Sequence, residues 1–228
     1  MKASRWTATV TAALLLAACT GGGDDAGSAS LASSPVAVEG GLTPDQALKV
    51  AAVRGDVEDA RAAIAAGADV DRGSGVGAGP LHAAASLGHA DVTALLIAGG
   101  APVNGRAEWG DMPLHLAARA GQLETMELLI EAGANLTPLR GAVDGADPLH
   151  YAAAAGQVDA MALLVDAGVP VDVSHAGLGT PLDFAACHGR LDAVRWLVEH
   201  GAAVGDDAED CAWDAGFDEV AAYLDGLG

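Results

Sequence analysis

Apolar residues recur with a helical period over Gln122-Leu123-Glu124-Thr125-Met126-Glu127-Leu128-Leu129-Ile130, with glutamates between them. Comparable segments recur along the chain, each bracketed by two glycines twelve residues apart: Gly55 and Gly67, Gly88 and Gly100, Gly121 and Gly133, Gly156 and Gly168, Gly189 and Gly201, Gly216 and Gly228. The leading glycines follow one another at 33, 33, 35, 33 and 27 residues. Ahead of four of them stand PLHAAASLG, PLHLAARAG, PLHYAAAAG and PLDFAACHG. Proline suits the first position of a helix, and glycine suits the left-handed residue that ends one. Each unit therefore predicts two short antiparallel helices followed by a turn-rich connection such as Val103-Asn104-Gly105-Arg106. We place the units near Asp45, Gly79, Met112, Asp147, Thr180 and Asp210.

One pair of such helices cannot bury its apolar face, so neighbouring pairs must stack. A period near 33 with the PLHxAA pattern resembles the ankyrin repeat, over residues 42–228. The resemblance implies an all-α solenoid of about six stacked helix-turn-helix units with hairpin fingers along one edge. It also implies a groove, formed by the first helices and fingers, that binds other proteins, and it implies no enzyme activity. The family signature Thr-Pro-Leu-His is never complete here. His82, His115 and His150 follow Gly79, Met112 and Asp147, whereas Thr180 is followed by Asp183, so the signature's hydrogen-bond network is not expected to survive intact. The final unit carries Trp213 where the others carry Ala85, Ala118, Ala153 and Ala186, as expected of a cap with no further repeat or domain beyond it.

The first residues add an address. Lys2 and Arg5 precede an apolar stretch from Thr7 to Ala18, a secretory signal peptide too short to span a bilayer in the ordinary way. Leu16-Ala17-Ala18-Cys19 resembles the lipobox of bacterial lipoproteins, which implies cleavage after residue 18 and lipid on Cys19. Residues 19–41, rich in Gly, Ser, Ala and Asp, read as a tether with a reach of about 26 Å. The expected location is the bacterial cell envelope, lipid-anchored on the extracytoplasmic side. By the sorting rule of some Gram-negative lipoproteins, Thr20 favours the outer membrane.

The whole chain has 11 basic and 31 acidic residues, a formal charge of −20. Loss of Lys2 and Arg5 leaves 9 against 31, formally −22, with Lys49 the one remaining lysine. Such a charge disfavours nucleic acid and anionic lipid and favours a basic protein partner. It also serves simply to keep an alanine-rich chain soluble. A monomer is expected.

Candidate chemistry is sparse. The histidine row would space its members roughly 10 Å apart, too far to share one metal ion. Neither HExxH, CxxC, Walker loop nor GxSxG is present, and no cofactor is implied. Asp183, Cys187 and His188 resemble a triad on paper, but adjacent helical residues diverge by about 100°, and a carboxylate beside a thiol disfavours the thiolate. Cys187 and Cys211 stand three register positions apart on helices some 10 Å apart, a stagger that places them beyond disulfide reach unless the last repeat tilts. The variable first-helix positions and finger tips nominate Trp109, Leu116, Arg119, Tyr151, Phe184 and His188 as partner contacts. Trp196 occupies a second-helix leucine position and is expected in the core. The resemblance links some exported relatives to oxidative-stress protection or toxin neutralisation. Two alternatives stand beside a dedicated binder: an envelope scaffold without one tight partner, and a thiol-dependent enzyme around Cys187.

Overall fold

Residues 41–71, 78–107, 110–137, 146–174 and 178–227 are described by a computed structural model, all within the compact unit Pro35–Gly228. The predicted signal peptide, Cys19, nearly all of the predicted tether and Trp109 lie outside the described residues. Twelve helices occur among the described residues, arranged as six pairs. The first helices of the pairs are α1 (Pro44–Arg54), α3 (Pro80–Leu87), α5 (Pro113–Ala120), α7 (Pro148–Ala155), α9 (Pro181–Cys187) and α11 (Asp206–Ala215). Their partners are α2 (Val57–Ala65), α4 (Ala90–Ala98), α6 (Leu123–Glu131), α8 (Val158–Asp166), α10 (Leu191–Glu199) and α12 (Asp218–Asp225). None of the described helices is long and apolar enough to cross a membrane.

The helix starts follow from local chemistry. Thr43 and Gln46 form a reciprocal cap on α1: the Gln46 amide donates to Thr43 Oγ1 at 3.3 Å, and the Thr43 amide donates to Gln46 Oε1 at 2.9 Å. From α1 to α9, each first helix has proline in its first turn. The last is different. The expected start near Asp210 is displaced to Asp206, behind Gly205, so α11 has 10 residues against 8 in α3, α5 and α7. No proline fixes its first turn, which instead holds Asp206, Asp207 and Glu209, carboxylates favoured at a helix N-terminus.

Columns of equivalent residues build the core. Four and three places before the closing glycine lie Ala51 and Ala52, Ala84 and Ala85, Ala117 and Ala118, Ala152 and Ala153, and Ala185 and Ala186, all buried. Methyl groups there let consecutive first helices approach closely. A leucine column (Leu48, Leu81, Leu114, Leu149, Leu182) faces a second one on the partner helices (Leu96, Leu129, Leu164, Leu197, Leu224), and every member is buried. Removing one such leucine would cost about 2–5 kcal/mol through lost transfer energy and the cavity left behind.

The closing glycines also hold the repeats in register. Gly189 has φ +66°, and a Cβ placed on it would lie 2.5 Å from the ring of Phe217, the residue just after the next closing glycine. His89, Gln122 and Gln157 cover Gly55, Gly88 and Gly121 in the same way, and Arg190 lies over Gly156. His89 Nε2 bonds the Val53 carbonyl at 3.0 Å, and Arg190 Nε donates to the Ala154 carbonyl at 3.0 Å. Each joint between repeats is thus fastened by one side chain closing on one bare backbone position.

Candidate partner-binding groove

The histidine column sets the edge of the groove. His115 Nδ1 accepts the Met112 amide proton at 3.2 Å, which leaves Nε2 protonated to donate to the Ala146 carbonyl at 2.9 Å in the following unit. His150 repeats the arrangement, accepting from the Asp147 amide at 3.1 Å and donating to the Gly179 carbonyl at 3.3 Å. His82 Nε2 reaches two carbonyls, Gly105 at 3.0 Å and Asp111 at 3.2 Å. The threonine–histidine pair of the signature is not formed by these units, and in α5 and α7 the ring accepts from a backbone amide in its place.

In the fifth unit Thr180 and Asp183 reproduce the link with other atoms. The Thr180 amide donates to Asp183 Oδ2 at 2.7 Å, and the Asp183 amide donates to Thr180 Oγ1 at 3.3 Å. Asp183 is thereby a helix cap, as its place at the start of α9 suggests. Burial pushes its carboxyl above the ordinary carboxylate range, against the hydrogen bonds from Thr180 that favour the charge. Burial likewise holds His115 down at about 4 and lowers His82, so these rings stay neutral.

The nominated contacts fall into two groups. Tyr151 and Phe184, five places before their closing glycines, are partly buried and stand edge-on against the histidine of the preceding repeat. Tyr151 meets His115 at 5.1 Å and 75°, and Phe184 meets His150 at 5.0 Å and 72°. The Tyr151 hydroxyl also donates to Asp111 in a short hydrogen bond. Leu116, Arg119 and His188 are partly exposed, and His188 is held by a 2.8 Å bond from Nδ1 to the Phe184 carbonyl. Leu87, at the end of α3, is 48% exposed and adds an apolar position to this face. Trp196 is partly buried against the core and stacks on His200 at 3.8 Å.

Cys187 and Cys211 form the disulfide that the sequence left possible, with a Cα–Cα distance of 5.1 Å despite their stagger. The 10 Å spacing describes helix axes, whereas Cα atoms lie about 2.3 Å off each axis. With axes at the close limit of about 8 Å, facing atoms three residues out of step come within about 6 Å. Alanine surfaces favour so close an approach, and Ala185, Ala186, Ala208 and Ala212 are all fully buried. Bonded in this way, Cys187 offers no thiolate, the species that the alternative of a thiol-dependent enzyme requires. No group of three or more metal-ligating side chains occurs among the described residues.

A stack of helix pairs, each first helix closed by a left-handed glycine at or just after its C-cap and His82, His115 and His150 bonded forward towards the next unit, defines a repeat protein built to present one long face. The family model described as ankyrin repeats, in three copies, matches residues 48–139 and 137–208, and the chain belongs to the ankyrin-repeat family. The crystal structure of the human ASB11 ankyrin repeat domain is similar, with 31% sequence identity and a TM-score of 0.70, over 79% of this chain and 83% of that one. No curated protein matches the chain.

Sequence reasoning missed the forward histidine bonds and the side chains that close on the glycines. The second had a readable signal: a bulky residue follows each closing glycine from Gly88 onward, namely His89, Gln122, Gln157, Arg190 and Phe217.

Proposed function

We propose that this chain is an exported, lipid-anchored ankyrin module that binds another protein through the face carried by α3, α5, α7 and α9. The ankyrin repeats make it a protein–protein interaction module, and the observation that carries the site is the column geometry. Leu87, Leu116, Arg119 and His188 remain partly or largely exposed on α3, α5 and the end of α9, beside the forward histidine bonds that join the repeats. Apolar, guanidinium and imidazole groups on a rigid face suit a protein partner. The excess of acidic residues favours a basic one.

Two features support export. Cys19 closes a lipobox-like sequence, and the Cys187–Cys211 bond belongs to an oxidising compartment. The tether then holds the repeats near the membrane surface, where stress protection or toxin neutralisation would use a binding face without needing catalysis.

Affinity capture from native envelopes tests the groove. Wild-type chain should retain one stoichiometric protein, and the double variant Leu116→Ala/Arg119→Ala should lose it. Retention of nothing specific across a range of salt concentrations would leave the scaffold reading instead. Metabolic labelling with a fatty acid tests the anchor: Cys19→Ala should abolish the label, and persistent labelling would reject lipidation at that residue.

A further inference from the structure

The outer face of α11 differs chemically from the groove. Three places before each closing glycine, Ala52, Ala85, Ala118, Ala153 and Ala186 are buried, whereas Trp213 is 51% exposed on α11. Glu209 and Asp210 precede it by four and three residues, so both lie beside the indole on the same helical face. In register they replace the buried leucine and the forward-bonded histidine of the inner repeats. No hydrogen bond or ion pair engages either carboxylate among the described residues. From Gly201 to the end the chain contains no Lys or Arg. Arg195, on α10, lies over the Tyr223 ring at 5.5 Å.

We propose that this face is a second docking surface, independent of the groove, for a basic segment of a partner protein, with an arginine or lysine seated over Trp213 between Glu209 and Asp210. An indole attracts a cation through its ring face, and adjacent carboxylates add charge-assisted hydrogen bonds. The same acidity argues against a second copy of the chain as occupant, because two such faces would bring like charges together.

A fluorescein-labelled peptide of alternating arginine and glycine, titrated with the full chain at low and physiological salt, provides the test. Trp213→Ala and the pair Glu209→Gln/Asp210→Asn should each weaken binding by about tenfold. The equally charge-reducing pair Glu127→Gln/Glu131→Gln, on the exposed face of α6, should change it less than about twofold. The groove pair Leu116→Ala/Arg119→Ala should leave it unaltered, which separates failure of this surface from failure of the groove. Equal losses in both acidic pairs, or none with Trp213→Ala, would overturn the proposal in favour of diffuse attraction to an acidic protein. A concentration-dependent dimer dispersed by Trp213→Ala in sedimentation equilibrium would overturn it in favour of self-association. Thermal melts identify any variant that unfolds. In that event the exposed pair Glu209→Gln/Asp210→Asn decides.

Discussion

The imidazole of His115 joins two repeats: one nitrogen accepts from the Met112 amide that starts α5, and the other donates to Ala146 at 2.9 Å. The bond from the Met112 amide requires the neutral ring, because a protonated Nδ1 cannot accept it. Burial depresses His115 to about 4 from an ordinary 6.5, so the native state binds fewer protons than the unfolded chain between those values. Its stabilisation is fully present above pH 6.5 and is lost as pH falls through 4. His82, lowered for the same reason, adds in the same direction. Asp183, raised from 3.8, works the other way and stabilises the fold most below that pH. Denaturation midpoints measured from pH 7.5 to 4.5 should fall, at a slope approaching about 1.4 kcal/mol per pH unit for each histidine. A flat profile would mean that the rings are not buried as neutral bases.

Replacing His115 by alanine removes both bonds and leaves a cavity between α5 and the following unit. The expected cost is about 2–4 kcal/mol, read from urea unfolding. The pH dependence should shrink in the same variant, an effect that loss of packing alone does not produce.

Gly189→Ala and Gly201→Ala separate two demands on a glycine. Both positions have positive φ, but nothing lies within 4 Å of a Cβ at Gly201, whereas the Phe217 ring blocks one at Gly189. Gly201→Ala should cost about 1–2 kcal/mol for the left-handed backbone, and Gly189→Ala more. In the background of Phe217→Ala the excess at Gly189 should disappear, a coupling that a double-mutant cycle measures.

Reduction of the Cys187–Cys211 bond, or its removal by Cys187→Ser/Cys211→Ser, should destabilise the end of the stack by about 3 kcal/mol, given a separation of 24 residues. Hydrogen exchange should accelerate in α11 and α12 first, while α5 to α8 keep their protection, because contacts in a solenoid pass only between neighbours. Uniform acceleration through all repeats would contradict this.

Much of the architecture was legible in the sequence because it depends on spacing alone. Glycine pairs twelve residues apart, and in four units a proline eight residues before a glycine, mark helix ends through backbone conformation, whatever surrounds them. What escaped depends on distances between repeats. The start of α11 was misplaced because no proline marks it. Register and a generic axial spacing alone set Cys187 and Cys211 apart, whereas the buried alanines of α9 and α11 favour the approach that the bond needs. Tyr151 and Phe184 were nominated as contacts from their variability, but only coordinates reveal each ring resting on the histidine one repeat earlier.

The pairing of Gly121 with Gln157 has a consequence for how such chains vary. That joint spans 35 residues where most span 33, yet the Gln157 side chain lies against Gly121 as Gln122 lies against Gly88. Helix phase is therefore carried across each boundary by a local fastener and does not accumulate from one connection to the next. Connections can gain or lose residues without propagating an error down the array, which leaves their lengths open to selection for whatever they touch.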